Sequence, residues 1–221
     1  MRRKTYFIVI ILILLQLCGC WDSRDLDKLA FPLASAYDVH SPGGADPSDP
    51  PANPGYKVVD LTTLVPNLAP KTQNPVNIET LSGVTITDAR QRRGLTDPDI
   101  YVTGLNKTII IGEELARRGI TPYMDSLLRG TTVTGTMYFT VAAGRGEDIL
   151  KTPIKNYTNM GTYLVALFDG VQQRTFIPAT QLGQFYRSQN KGKNPVAPIL
   201  ERKGDRVIIS GVAVFKKDQM V

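Results

Sequence analysis

The sequence predicts an α+β fold: mixed sheets flanked by short helices, making up the N-terminal domain of a longer, multi-domain architecture. Three observations point there. β-Branched runs of strand length recur at Tyr56–Val65, Lys107–Gly112, Thr131–Ala143 and Arg206–Phe215. The helical stretches between them are short, in a chain of 221 residues punctuated by 19 glycines and 15 prolines. Strands and helices do not alternate as a repeated unit, which sets the chain apart from a doubly wound α/β fold.

Taken in order, Leu26–Val39 reads as a short helix or turn and then a strand, and Tyr56–Val65 as the next strand. Between them Ser41–Gly55 is too dense in Pro, Gly and Asp for helix or sheet, so it reads as an enlarged, flexible hairpin loop. Pro66–Asn77 is a second loop, held open by Pro66, Pro70 and Pro75. Thr85–Arg93 reads as a polar helix that Gly94 stops, and Asp99–Val102 and Lys107–Gly112 as strands around a turn at Gly104. Thr108–Gly119, TIIIGEELARRG, is the clearest block: a buried strand, a short helix with Glu113 and Glu114 in its first turn, and Gly119 as its cap.

Thr121 and Pro122 fit an N-cap and a first helical position, with Tyr123, Leu127 and Leu128 on one face of a helix ending near Gly130. In Thr131–Ala143, Met137, Phe139 and Val141 share one face of a strand, and Tyr138 and Thr140 the other. Glu147–Leu150, Tyr163–Asp169 and Thr180–Gln189 read as further short helices. From Asp205 on, two strand-like runs are followed by a polar turn at Lys217–Gln219, which opens a hairpin without closing it. The expected organisation is therefore a leader at 1–19, an N-terminal α+β domain at 20–203 with its flexible loop at 41–55, and the start of an incomplete C-terminal domain at 204–221.

The opening MRRKTYFIVIILILLQLCGC has a basic start, an apolar stretch and small residues before a cysteine, the plan of an export signal. Tyr6–Leu15 is about ten residues, or about 15 Å as a helix, against about 30 Å for a hydrocarbon core. Leu17-Cys18-Gly19-Cys20 reads as a lipobox, in which the Cys20 thiol takes a diacylglyceryl group and cleavage falls just before it. Two acyl chains anchor lastingly where one does not, so the expected product is a lipoprotein held on the extracytoplasmic face of a membrane.

Composition then narrows the chemistry. Loss of Arg2, Arg3 and Lys4 with the leader lowers the formal net charge from +6 to +3, and no basic run with interleaved aromatics remains to suggest nucleic acid. Cys18 leaves with the leader and Cys20 is consumed by lipid, which excludes disulfides, a thiol nucleophile and thiolate metal sites. His40 is the one histidine; it precedes the Pro/Gly loop and reads as an exposed loop-edge residue, although any Ser-His-Asp chemistry would have to pass through it.

Glu113 and Glu114 invite an acid/base role, but adjacent helical positions point about 100° apart and the helix N-terminal dipole accounts for both. Asp22, Arg24, Asp25 and Asp27 read as a solvated tether near the bilayer. Arg90, Arg92 and Arg93 read as a solvated helix end, and Gly144 and Gly146 around Arg145 lack the spacing of a phosphate loop. No catalytic, metal or cofactor residue is assigned; Cys20 is the site residue.

Four stretches together resemble the Ger(x)C family, the lipoprotein C subunits of nutrient germinant receptors in endospore-forming bacteria. They are Cys20-Trp21-Asp22-Ser23-Arg24-Asp25-Leu26, Ile109–Ala116, Arg145–Leu150 and Ser210–Asp218, in the family's order and spanning nearly the whole mature chain. The resemblance implies a non-enzymatic subunit, lipid-anchored at the spore inner membrane, working beside a large A-type membrane subunit and a B-type subunit similar to amino-acid transporters. It also implies a long α+β C-terminal domain beyond Asp218. The competing readings are a substrate-binding lipoprotein of a transporter, which needs two similar α/β lobes around a cleft, and a lipid-anchored hydrolase, which needs a nucleophile–base pair.

Overall fold

In the computed structural model, residues 28–40, 59–67, 75–129, 133–174 and 177–221 are described, together with positions 3 and 6. Cys20, the motif that follows it, nearly all of the leader and the Ser41–Gly55 loop lie outside the described residues.

The strands are β1 (Leu29–Ala30), β2 (Ala34–Val39), β3 (Val59–Pro66), β4 (Val76–Gly83), β5 (Ile100–Tyr101), β6 (Thr108–Gly112), β7 (Tyr138–Ala142), β8 (Val196–Lys203), β9 (Arg206–Lys216) and β10 (Gln219–Met220). The helices are α1 (Ile86–Thr96), α2 (Glu113–Arg118), α3 (Thr121–Leu128), α4 (Gly146–Leu150), α5 (Met160–Arg174) and α6 (Leu182–Asn190). β1 and β5 form a small parallel pair, and the other strands one eight-stranded sheet in the order β10-β9-β8-β7-β6-β2-β3-β4. Its centre, β2-β6-β7-β8, is parallel, and both flanks are antiparallel hairpins. This is the expected α+β class with a mixed sheet.

Helices cover both faces, which is what a parallel centre requires. Ile109 and Ile111 of β6 and Phe139 and Val141 of β7 pack with Leu115 of α2, Met124 and Leu127 of α3 and Phe185 of α6. Ile110 and Ala142 point the other way and pack with Ile149 and Leu150 of α4 and Leu164 and Phe168 of α5. The alternation expected along 137–141 holds, but the strand begins at Tyr138 rather than Thr131.

Several boundaries differ for physical reasons. α1 runs through Gly94, because a helical glycine costs only about 1 kcal/mol; it stops at Asp97, where the following Pro98 disfavours helical backbone and Asp97 is extended at φ −114° and ψ 125°. Thr121 is the first residue of α3 and Ile120 its cap, one residue earlier than the Thr-Pro pattern suggests. β8 is a strand that Pro198 concealed. Its pairing with β7 is confined to Val141–Ile199 and Ala142–Leu200, and the Pro198 carbonyl accepts the Thr140 hydroxyl at 2.7 Å. β9 is one strand rather than two, interrupted by a bulge where the register against Ile199 and Leu200 skips Ser210. Val207, Ala213 and Phe215 of β9 are buried in the two cores, while Val212 and Val214 are 37% and 41% exposed.

Candidate functional site

In a sheet with a parallel centre, the carboxyl ends of the strands are the usual place for chemistry. Here that end carries an ion cluster. β2 and β3 form a hairpin whose register sets Asp38 directly opposite Asp60, and both are buried. Two acids in such a pair repel unless something compensates them. Arg145, in the turn between β7 and α4, places Nη2 2.8 Å from Asp60 Oδ2 and 3.0 Å from Glu147 Oε2. Asp38 accepts the backbone N–H groups of Gly146 at 2.7 Å and Glu147 at 2.9 Å, so it caps α4.

The glycines around this carboxylate are there for space. A Cβ on Gly112 would lie 2.0 Å from Asp38 Oδ1, and one on Gly146 2.8 Å from the Ala36 Cβ. The two blocks are also stitched together: Glu113 N–H donates to the Gly144 carbonyl at 2.8 Å, and Gly144 N–H to Glu113 Oε2 at 3.2 Å. Thus Thr108–Gly119 and Arg145–Leu150, distant in sequence, meet at the ends of adjacent strands.

Electrostatics follow from the partners. Burial pushes the Asp38 carboxyl above its ordinary value, against its two backbone donors and Arg145. Burial alone would raise Asp60 too, but hydrogen bonds from Arg145, Ser82 and His40 outweigh it and hold Asp60 below the usual range. Glu147 is likewise held down, burial being outweighed by Lys151, Thr80 and Arg145.

His40 is not the exposed residue its place in the sequence suggests; its side chain is 9% exposed and joins Asp60 and Ser82. The trio is not a catalytic relay. A relay needs the carboxylate on one ring nitrogen and the hydroxyl on the other, whereas Asp60 Oδ1 at 2.7 Å and Ser82 Oγ at 3.2 Å both meet Nδ1. The Ser82 hydroxyl, moreover, donates to Asp60 at 2.7 Å, so its proton is committed to the carboxylate.

A second polar feature lies near the opposite end of the sheet. Arg93 is 5% exposed, donates to Thr63 Oγ1 at 2.6 Å, stands 3.5 Å from Glu79 Oε2, and stacks 4.3 Å from the centre of the Tyr101 ring. Its expected place on a solvated helix end is therefore corrected, because α1 turns this arginine onto β3 and β4. Burial and the Asp97 carboxylate, which accepts the Tyr101 hydroxyl at 2.6 Å, raise the Tyr101 phenol. A cavity of about 470 Å³ opens beside it, with Leu61, Ile109 and Met137 among its walls. Arg92 behaves as expected and pairs with Asp88 at 3.2 Å along the helix.

Glu113 and Glu114 are not brought together. Each pairs one turn along α2, Glu113 with Arg117 at 3.0 Å and Glu114 with Arg118. Among the described residues no three His, Cys, Asp or Glu side chains form a metal-binding group, and no helix is long and apolar enough to cross a membrane. Asp38, Asp60, Ser82 and Arg145 were not singled out as partners by the sequence. The signal that reveals them is the hairpin itself: aligning β2 with β3 opposes two acids, and an acid pair that cannot reach solvent calls for a cation.

Known proteins share this sequence pattern. The model of the family described as "Spore germination protein N-terminal domain" matches residues 22–202. YfkR of Bacillus subtilis (strain 168), whose name assigns it provisionally to spore germination, is 26% identical over all of this chain and 58% of its own length. Spore germination protein GerQC of Bacillus cereus is 20% identical over all of this chain and 57% of its own length, and spore germination protein B3 of Bacillus subtilis (strain 168) 27% identical over 67% of this chain and 37% of its own. A crystal structure of the GerBC protein aligns with a TM-score of 0.41 at 15% identity, over 75% of this chain and 47% of that one. The chain thus spans little more than half the length of the first two relatives.

Proposed function

We propose a function from one premise: this chain belongs to the spore germination protein N-terminal domain family, matching it over residues 22–202. The relatives' names support a role in spore germination. Beyond that, our reading is a lipid-anchored subunit of a nutrient germinant receptor, acting through protein–protein assembly rather than catalysis. The anchor is a diacylglyceryl group on Cys20, and the partners are an A-type and a B-type membrane subunit. The site is the extracytoplasmic face of the spore inner membrane. In the whole protein, residues 204–221 lead into a C-terminal domain.

The observation that carries the reading is where the family match begins, at Asp22, two residues after the lipobox cysteine. A globular family domain placed directly behind a lipidation motif is what a tethered, extracytoplasmic subunit needs. The closed ion cluster supports the non-catalytic part. Arg145 bridges two carboxylates, and Ser82 gives its proton to Asp60 rather than to a base. Among the described residues, one eight-stranded sheet covered on both faces stands where a transporter's binding protein would have two lobes.

The test is affinity capture of the tagged full-length protein from detergent-solubilised spore membranes. Recovery of a multi-span transporter-like protein with a large A-type subunit is the expected result. Recovery of a permease with its ATPase instead overturns the receptor reading in favour of transport.

A further inference from the structure

We propose that the end of the sheet bearing Lys193, Lys216 and Lys217 is a membrane-facing surface that docks on anionic phospholipid headgroups. This rests on the reading of Cys20 as the lipid attachment site.

The three lysines are exposed and line a groove of about 550 Å³ between the start of α3, the end of α6 and the β9–β10 turn, with Thr121, Gln189 and Asp218. Asp218 is the one acid in that lining, and among the described residues no carboxylate pairs with the three ammonium groups. The lysines at the other end of the sheet are spent differently: Lys151 pairs with Glu147 at 2.6 Å, Lys155 with Asp205 at 3.1 Å and Lys203 with Glu201 at 3.8 Å. Within the lining of this groove three cations thus face one acid.

Lys217 adds a second observation. It has φ 61°, and among the described residues it is the one position other than glycine in the left-handed region. Glycine and asparagine take such turn positions with less strain, so a lysine there is held against local preference. Strain of this kind marks places where the side chain's position matters.

Topology supplies the third. β2, β6, β7 and β8 are parallel, so the starts of β2 and β8 lie at the same end, and β9, antiparallel to β8, finishes there at Lys216. The described chain enters β2 from Lys28. Seven residues separate Cys20 from Lys28, and the stretch from one to the other spans at most about 29 Å when fully extended. β2 and β8 stand three strand spacings apart, about 14 Å. A lipid on Cys20 therefore keeps this same end tethered within reach of the headgroups. Attraction screened over about 8 Å at physiological salt then holds it there once the lysines meet the surface.

The experiment uses the lipidated full-length chain, reconstituted into phosphatidylcholine vesicles with and without phosphatidylglycerol and labelled with an amine-reactive reagent read by mass spectrometry. Intact mass is taken first. If it lacks the diacylglyceryl group, the Cys20 reading falls and this docking surface with it. With the lipid present, Lys193, Lys216 and Lys217 are expected to label about fivefold more slowly in the anionic vesicles, while Lys155 and Lys203 do not change. A K216E/K217E variant should keep its melting temperature, and its remaining Lys193 should label at the same rate in both vesicle types. Equal labelling in both vesicle types overturns the proposal while leaving lipidation standing. Protection by free inorganic phosphate in phosphatidylcholine vesicles also overturns it, since that is a small-anion site rather than a bilayer contact.

Discussion

Arg145 holds the carboxylate of Asp60 at 2.8 Å and that of Glu147 at 3.0 Å, so one guanidinium ties the β2–β3 hairpin to the first turn of α4. Asp60 is the buried member, with 6% of its side chain exposed, while Arg145 keeps 32%. Removing the cation strands a buried charge, at about 3–5 kcal/mol for a fully buried pair and less where the cation is partly solvated. Arg145→Met should therefore cost about 2–3 kcal/mol in urea unfolding, or roughly 2–4 °C of Tm per kcal/mol. Adding Asp60→Asn to it should cost less than the sum of the two single changes, as contacting groups do.

The same cluster sets an acid limb. Asp60 and Glu147 have folded values held below their ordinary 3.8 and 4.5. Their contribution is fully present above those ordinary values and is lost as pH falls through the lower folded ones. Asp38 acts oppositely: its raised value makes the ionised form a cost that protonation relieves. Thermal melts from pH 6 downward should show net loss below about pH 4.5, with a shallower limb in Arg145→Met, whose carboxylates have lost their shared donor. An unchanged limb in that variant would separate Arg145 from the acid stability.

Neighbouring arginines on α1 should behave differently. Arg93 is buried against Thr63 and the Tyr101 ring, so Arg93→Met should cost about 2–3 kcal/mol by leaving Glu79 unpaired and the stack empty. Arg92 pairs with Asp88 where each side chain is 33% exposed, so Arg92→Met should cost about 0.5 kcal/mol or less. Equal losses would contradict the placement of α1.

Two glycines give opposite signs. Gly94 lies inside α1 with nothing within 4 Å of the point a Cβ would occupy, so Gly94→Ala should stabilise by about 0.5–1 kcal/mol. At Gly112 a Cβ would sit 2.0 Å from the Asp38 carboxylate, and Gly112→Ala should destabilise by more than about 2 kcal/mol by forcing that group off the α4 cap. Urea unfolding of the two variants beside the native chain reads both signs.

What could be read from the sequence was local. TIIIGEELARRG yields β6, α2 and its Gly119 cap because buried β-branched residues, acidic first-turn residues and a terminal glycine each act within a few positions. The alternation of Met137, Phe139 and Val141 likewise identifies a core face. What stayed hidden depends on register and on neighbours far along the chain. β8 was concealed by Pro198, whose place in a strand is tolerated only because its pairing with β7 is so short. Arg93 looks like its neighbours until α1 is docked on the β3–β4 hairpin. His40 sits beside a polar loop in sequence, yet Asp60 and Ser82, brought alongside by the hairpins, enclose it.

The proposed receptor role stands on the lipid anchor, which is tested most directly by intact mass and membrane partitioning of the native protein beside Cys20→Ala, both expressed in a Gram-positive host. Only the native form should be cleaved before Cys20, gain the mass of a diacylglyceryl group and stay with membranes after the leader is gone. If both forms show the same mass change and the same partitioning, Cys20 is not the anchor and the receptor-subunit reading loses its footing.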